Sequence, residues 1–171
     1  MSFTVEDGTI VTGANAYVTV AAYLTYWEDR GVDESNTDDE VIQAAIVKAT
    51  DYVDRRFRFK GLRVDPDTPQ PLAWPRQEVY DREGYLLSET AIPTALKHAV
   101  IEYAYRAKSE SLWNTPTLDQ SGTLSSKREK VGPIETEYAY SSGSASTIKP
   151  YPAADNLLRD LILDGQGRTY R

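Results

Sequence analysis

The chain has 171 residues, of which 40% are hydrophobic and 26% charged, a composition typical of a folded globular domain. It contains no cysteine and a single histidine, His98, which excludes disulfides, thiol catalysis and a metal site built on several histidines within one chain. The formal charge of -7 argues against nucleic-acid binding over the whole surface, because affinity for phosphates comes mainly from Lys and Arg. The net charge does not exclude a local basic patch that binds nucleic acid.

The sequence shows no apolar run near the ~20 residues that a membrane span needs. Its N-terminus lacks the basic start and apolar block of a secretory signal, so we expect no membrane association. The 12 tyrosines and 3 tryptophans suit a protein–protein surface, where amphipathic aromatic side chains are enriched.

Two helices are predicted in the first third of the chain. Thr19 is a suitable N-cap for a helix that runs to Arg30, with Gly31 following it in the left-handed conformation. The second helix is predicted from Asp38 to about Phe57, with Thr37 to Glu40 forming a capping box at its start. Its predicted apolar face is Ile42, Ala45, Ile46, Ala49, Val53 and Phe57.

Two more helices follow in the second half. Pro93 opens a third helix, which ends near Lys108 or Ser109 and has the apolar stripe Leu96, Ala99, Val100, Tyr103, Ala104 and Ala107. Pro152 opens a fourth helix that ends at Gly165. Between the second and third helices, a turn at residues 81–84 predicts a small hairpin or a pair of extended arms over residues 79–90.

The segment from 111 to 149 is rich in Ser, Thr and Gly and differs in character from the rest. Within it, the alternation from Ile134 to Tyr140 predicts a half-buried strand, preceded by the charged run Lys127 to Lys130. A segment of ~40 residues with little structure of its own is unusual in a compact domain and indicates a functional excursion or an arm that a partner orders.

The heptapeptide from Gln70 to Arg76 (Gln-Pro-Leu-Ala-Trp-Pro-Arg) connects the second and third helices. Its two prolines exclude helix and inner strand, so it is a stiff extended segment that presents Trp74 in one direction. We expect Trp74 to fill the core beneath this segment. A further hypothesis is that Trp74 and Arg76 anchor a partner, since both residue types are enriched at interface hot spots.

These elements predict a mainly α fold: a small four-helix bundle with a short β-hairpin-like insertion and an extended β-like arm between the third and fourth helices. We expect one domain over residues 1–171, with a helical core at about 15–110 and 150–165 and the arm at about 111–149.

Several motifs taken together resemble those of a protein family found in tailed bacteriophages. They are Asn15 to Val20, Ala44 to Asp54, Phe59 to Arg63, Gln70 to Arg76, Ile92-Pro93 and Lys130 to Tyr138, in this order along the chain. The family is similar to the head–tail connector proteins (adaptor or head-completion proteins), and it is often labelled DnaT-like single-stranded-DNA-binding protein. The resemblance covers roughly residues 14 to 140. Ala22 and Pro133 depart from it, because the family usually has acidic residues at these positions.

The resemblance implies a structural protein of the virion neck, present in the host cytoplasm during assembly. It implies a homo-oligomeric ring, dodecameric in such connectors, that docks on the portal protein and offers a surface to a tail terminator or another neck or tail protein. Packaged double-stranded DNA would pass through its channel without sequence-specific binding. It implies no enzymatic activity, cofactor or metal.

One basic patch supports a different class of function. Arg55, Arg56, Arg58, Lys60 and Arg63 are interleaved with Phe57 and Phe59, and aromatic rings beside cations can stack the bases of a single strand. The alternative hypothesis is therefore that the protein is a DnaT-like replication accessory that binds single-stranded DNA through this patch. Two other interpretations remain open: the rings are core at a helix end, or the cations contact the portal.

The candidate interface residues combine this patch with the arm and the heptapeptide: Trp74, Arg76, Arg55, Arg56, Arg58, Lys60, Arg63, Lys127, Arg128, Lys130, Tyr138 and Tyr140. Other polar groups have simpler interpretations. Asp51 precedes Arg55 by one helical turn and predicts an intrahelical ion pair. We attribute Asp38, Asp39 and Glu40 to helix capping, and we expect His98 to be solvated on its helix.

Overall fold

The computed structural model describes residues 2–65, 67, 70–113, 126–131, 134–139 and 149–163, with the backbone alone for 126–131 and 134–139. It contains four α-helices: α1 Val20–Glu28, α2 Asp39–Arg56, α3 Thr94–Ala107 and α4 Pro152–Leu158. The four predicted helices are therefore confirmed, and the described part of the chain is mainly helical. The arrangement of these helices as a four-helix bundle stays a prediction.

Four short strands accompany the helices. β1 Leu62–Arg63 pairs antiparallel with β2 Arg76–Gln77, so the two ends of the 62–77 segment lie side by side. β3 Ser126–Val131 pairs antiparallel with β4 Ile134–Ala139. The predicted strand at Ile134 is confirmed, whereas β3, β1 and β2 were not predicted. Tyr80 and Leu86 bridge across a turn, which places the predicted small hairpin in this loop.

The described residues form two compact units. One contains the four helices with β1 and β2, and it spans the described parts of 1–112 and 150–163. The other contains the β3–β4 hairpin, within 113–149.

The core of the helical unit lies between α2, α3 and α4, and α1 packs on α2 and α3. Every residue of the predicted apolar face of α2 is buried, as is the predicted stripe of α3: Leu96, Ala99, Val100, Tyr103, Ala104 and Ala107. The 3.6-residue periodicity of both helices therefore identified the buried faces correctly.

The helix starts agree with the sequence in part. The Thr19 hydroxyl accepts a hydrogen bond from the Ala22 N–H (3.1 Å), as expected of an N-cap. The predicted capping box at the start of α2 is wrong. The N-cap residue is Asp38, whose side chain makes no capping hydrogen bond, and the Thr37 hydroxyl donates to the Glu34 carboxylate instead. α1 and α4 also end earlier than predicted, at Glu28 and Leu158.

The N-terminal lead-in is ordered by a carboxylate. Glu6 is buried, and its two oxygens accept hydrogen bonds from the backbone N–H groups of Gly8, Ile10 and Val11. Gly8 has φ +114°, and a Cβ there would lie 2.3 Å from the Thr90 carbonyl oxygen, so the loop needs glycine at this position. This loop packs against the residues that precede α3.

Candidate functional site

The first candidate site is the basic patch at the end of α2, beginning with Arg55. Arg55 lies 3.7 Å from Asp51 in the predicted intrahelical ion pair, and its side chain is 72% exposed. An exposed pair of this kind contributes little to stability. Arg55 is thus accessible to a partner.

Arg56 is placed differently, because it belongs to the interior. Its guanidinium lies 3.0 Å from Asp155 and donates to the Tyr52 hydroxyl at 2.7 Å, and its side chain is only 8% exposed. The Tyr103 hydroxyl donates to the same Asp155 carboxylate. Burial and this bond to Asp155 raise the pKa of Tyr103, so the phenol stays a neutral donor. This polar cluster joins α2, α3 and α4. Because the Arg56 guanidinium is bonded within the cluster, it is not available to bind the phosphates of a DNA strand.

The two aromatic rings of the patch are core residues. Phe57 and Phe59 are 4% and 6% exposed, and Phe59 packs edge-on against the Trp74 ring with centroids 5.7 Å apart. The core interpretation of these rings is confirmed. A stacking platform needs ring faces open to solvent, so Phe57 and Phe59 do not provide one.

The other cations of the patch are Arg58, Lys60 and Arg63. Arg58 and Arg63 are exposed, whereas Lys60 donates from Nζ to the Asp160 carbonyl at 2.9 Å. The backbone here runs beside the end of α4: the Lys60 N–H donates to the Leu161 carbonyl and the Leu163 N–H donates to the Arg58 carbonyl. Arg55, Arg58 and Arg63 are therefore the cations of the patch that a ligand can reach.

The heptapeptide from Gln70 to Arg76 crosses the helical unit with Trp74 fully buried, as predicted. The backbone N–H of Trp74 donates to the Tyr17 hydroxyl at 3.1 Å, and that hydroxyl donates to the Asp54 carboxylate at 2.8 Å. The Ala73 N–H donates to the same carboxylate at 2.8 Å. Asp54 therefore holds the middle of the heptapeptide onto α2, which the sequence did not indicate.

Asp54 has an altered acidity at this position. Burial raises the pKa of its carboxyl to about 6, against the lowering effect of the bonds from Ala73 and Tyr17. The charge of Asp51, which pairs with Arg55, also raises the pKa of Asp54. The two acids thus have separate structural roles, although they lie on one helix.

Arg76 is bonded inside its own chain. Its guanidinium donates to the carbonyl oxygens of Lys60 (2.7 Å), Gly61 (2.7 Å) and Ala73 (3.2 Å). These bonds tie the two ends of the 60–76 segment together next to the β1–β2 pair. The geometry gives Arg76 a structural function, and its contact with a partner stays a prediction.

His98 is partly exposed and is therefore less solvated than expected. The imidazole lies 4.9 Å from the Tyr26 ring, centroid to centroid, and the Arg30 guanidinium lies over the same tyrosine. Burial, assisted by the charge of Arg30, lowers the pKa of His98. Within the described residues there is no group of three or more His, Cys, Asp or Glu side chains that could hold a metal ion.

A second candidate site is a groove of about 540 Å³ between the loop before α3 and α4. Its apolar lining consists of Leu87, Ala91, Ile92, Pro93, Ala95, Leu157 and Leu161. Asp81, Glu83 and Asp160 also line it, together with Arg82. In the same loop, Tyr85 is 72% and Leu86 55% exposed. The sequence did not predict this site, because α4 and the loop are distant along the chain.

The loop beside the groove carries a negative charge. Residues 78–89 contain four carboxylates and one guanidinium, a net charge of -3. An apolar groove beside an acidic loop favours a protein segment with apolar side chains and basic flanks over a nucleic acid, whose phosphates the loop would repel.

The candidate residues of the arm lie in the other unit. Lys127, Arg128 and Lys130 are on β3, and Tyr138 is on β4, opposite Lys127. Tyr140 lies outside the described residues. Where the structure describes the chain, no helix is long and apolar enough to cross a membrane.

Comparison with known proteins gives one match. The model of the family described as "Putative DnaT-like ssDNA binding protein" matches residues 1–171. No curated protein matches the chain, and no solved structure matches it. The family description is closer to the single-stranded-DNA hypothesis than to the connector hypothesis. With its whole length matched, the chain belongs to the family described as "Putative DnaT-like ssDNA binding protein".

Proposed function

We propose that the protein is a structural adaptor of the head–tail junction of a tailed bacteriophage. It assembles as a ring on the portal protein, continues the channel through which DNA passes, and presents a surface to the tail. It has no catalytic function. The observation that carries this proposal is the apolar groove next to the exposed Tyr85 and Leu86, which offers a binding surface for a protein.

The groove receives a segment of the portal protein. Exposed aromatic and aliphatic side chains next to a concave apolar surface are the usual anchors of a protein interface. The acidic loop beside the groove selects a segment with Lys or Arg beside its apolar residues, since complementary charge favours the correct partner. The buried positions of Phe57, Phe59 and Arg56 also support a partner other than a DNA strand.

Two exposed residues beside the groove, Tyr85 and Leu86, can be changed to test this surface without disturbing the core. The double substitution Tyr85→Ser and Leu86→Ser is expected to leave the free subunit folded and to weaken its binding to immobilised portal protein about tenfold or more. Val41→Ser is the matched control, because Val41 is 46% exposed and lies on α2, outside the loop beside the groove. If the double variant and the control both bind portal protein as well as the wild type, the exposed side chains beside the groove are not part of the contact surface.

A second candidate function is binding of single-stranded DNA, which the description of the family favours. The residues available for it are Arg55, Arg58 and Arg63, which are exposed around the end of α2 and β1. These cations could follow a phosphate backbone, although the two phenylalanines between them are buried.

Fluorescence anisotropy with a labelled oligothymidine at ~50 mM salt separates the two functions. The adaptor proposal predicts no saturable binding. Saturable binding that weakens with salt, and that is lost when Arg58 and Arg63 are both changed to Ala, would instead establish the DNA-binding function. The control is Arg82→Ala, which removes an exposed cation at the groove, away from the patch.

A further inference from the structure

The β3–β4 hairpin has two free edges among the described strands. Its six-residue strands pair only with each other, from Ser126 opposite Ala139 to Val131 opposite Ile134. Within the described part of the chain, each strand therefore has an outer edge without a partner strand, and such an edge is a template for another strand. An isolated two-stranded ribbon is marginally stable in water at best, so the hairpin gains most from further strands.

The two strands carry opposite charges. β3 has three basic residues and one acidic residue, a formal charge of +2, whereas β4 has two acidic residues and a formal charge of -2. Within the hairpin, Arg128 lies opposite Glu137 and Lys130 opposite Glu135. The outer edge of β3 thus matches the charge of a second β4, while contact of β3 with β3 or β4 with β4 would place like charges together.

We propose that the hairpins of neighbouring copies join edge to edge, with β3 of one copy pairing with β4 of the next. Copies that point in the same direction present alternating strand directions, so each new contact is antiparallel like the hairpin itself. The contact joins two different edges and is therefore heterologous, which closes into a ring when the rotation between copies allows it. This inference rests on the proposed function and assigns the contact between copies to the arm.

Single cysteines test the contact, because the natural chain has none. Glu129→Cys is at the middle of β3 and Thr136→Cys lies opposite it on β4. In a protein with one cysteine, a disulfide can only join two copies. Upon mild oxidation, the mixture of the two variants is expected to yield about fivefold more cross-linked dimer than either variant alone, since paired strands bring cysteines within bonding distance. Two further variants, Lys127→Cys and Val131→Cys, are each mixed with Thr136→Cys in place of Glu129→Cys. They detect a contact in which β3 and the neighbouring β4 are shifted by two residues relative to each other.

Charge exchange tests the contact independently. One variant combines Lys127→Glu, Arg128→Glu and Lys130→Glu, which makes both strands acidic. Another combines Glu135→Lys and Glu137→Lys, which makes both strands basic. Each variant alone is expected to lose assembly, and their mixture to regain it, because acidic and basic strands then alternate between copies. Mixing cannot repair charge repulsion within a hairpin, so the recovery reports contact between copies.

Light scattering, with and without portal protein, distinguishes failure of this inference from failure of the proposed function. Mixed cross-links together with recovery of assembly upon mixing support the edge-to-edge contact. Assembly without cross-links between β3 and β4 variants, or without recovery, overturns it and leaves the adaptor function standing. A protein that stays monomeric in both conditions contradicts both.

Discussion

At the scale of single residues, buried polar groups decide how the segments between the helices are held. Tyr17 and Asp54 together bind the heptapeptide through two backbone N–H groups, and Glu6 binds three in the N-terminal loop. A buried acceptor with several donors is stable only while all of its partners are present. Side-chain hydrogen bonds therefore fix these loops, and at Arg76 the heptapeptide is also held by the β1–β2 pair.

Trp74→Ala tests the role of the heptapeptide in stability. Trp74 is fully buried against Phe59, so its removal leaves a large cavity and should cost about 3–5 kcal/mol in the free energy of unfolding. Urea unfolding followed by circular dichroism measures this. Tyr85→Ala removes an exposed ring and is the control, with an expected change within about 0.5 kcal/mol. Equal stability of the two variants would show that Trp74 does not support the core.

Asp54 predicts a specific dependence of stability on pH. Its pKa in the folded protein is about 6, raised from the 3.8 of an unperturbed carboxyl. Below about pH 4 the group is protonated in both states, and between about pH 4 and 6 the unfolded chain releases its proton first. The contribution of Asp54 to the free energy of unfolding should therefore fall as the pH rises from about 4 to about 6, and it should stay constant above that range.

Asp54→Asn removes this contribution, because the amide does not titrate. The stability of the wild type relative to the variant is expected to decrease from about pH 4 to about pH 6, as measured by urea unfolding at several pH values. Other carboxyls titrate equally in both proteins and cancel in the difference. A difference that is constant with pH would contradict the raised pKa.

At the scale of elements, α2, α3 and α4 are joined by packing and by one buried ion pair. The short α4 has seven residues, too few to be stable alone, so its position depends on the apolar contacts of Leu158 and on Asp155. Asp155 accepts from Arg56 of α2 and Tyr103 of α3. This pair therefore fixes α4 on the other two helices.

Removal of one partner of this pair should cost more than removal of both. Arg56→Met leaves the Asp155 carboxylate buried without its cation and is expected to destabilise the protein by about 3–5 kcal/mol. In the double variant Arg56→Met with Asp155→Leu, part of this loss should return, since no charge remains buried. Urea unfolding of the two single variants and the double variant measures the coupling. Additive losses would show that the two residues act independently.

The sequence predicted those elements whose signals are local. The periodicity of α2 and α3, the Thr19 cap and the prolines at the starts of α3 and α4 are local signals, and they predicted the helices and their buried faces. β3 could not be predicted, because its run of charged residues lacks the alternation of a half-buried strand and depends on β4 for pairing. The groove and the bonds of Arg56 to Asp155 join residues far apart in the chain, and no local pattern records such contacts.

At the scale of the whole molecule, the protein combines a helical unit with a hairpin unit, and each carries a surface suited to another protein. The helical unit has the apolar groove beside an acidic loop. Among the described strands, β3 and β4 each have one unpaired edge, and the two strands have opposite charges. A negative net charge also suits a ring through which DNA passes, since phosphates are repelled from an acidic wall. These features support the proposed assembly function, whereas the family description supports binding of single-stranded DNA.

The mass of the complex with portal protein tests the adaptor function most directly. Size-exclusion chromatography with light scattering is performed on the protein alone, on portal alone and on their mixture. The account predicts a complex heavier than portal by several copies of this chain, and its loss or weakening with Tyr85→Ser and Leu86→Ser. A chain that elutes as a monomer beside unchanged portal, at every concentration and salt tested, would contradict the proposed function.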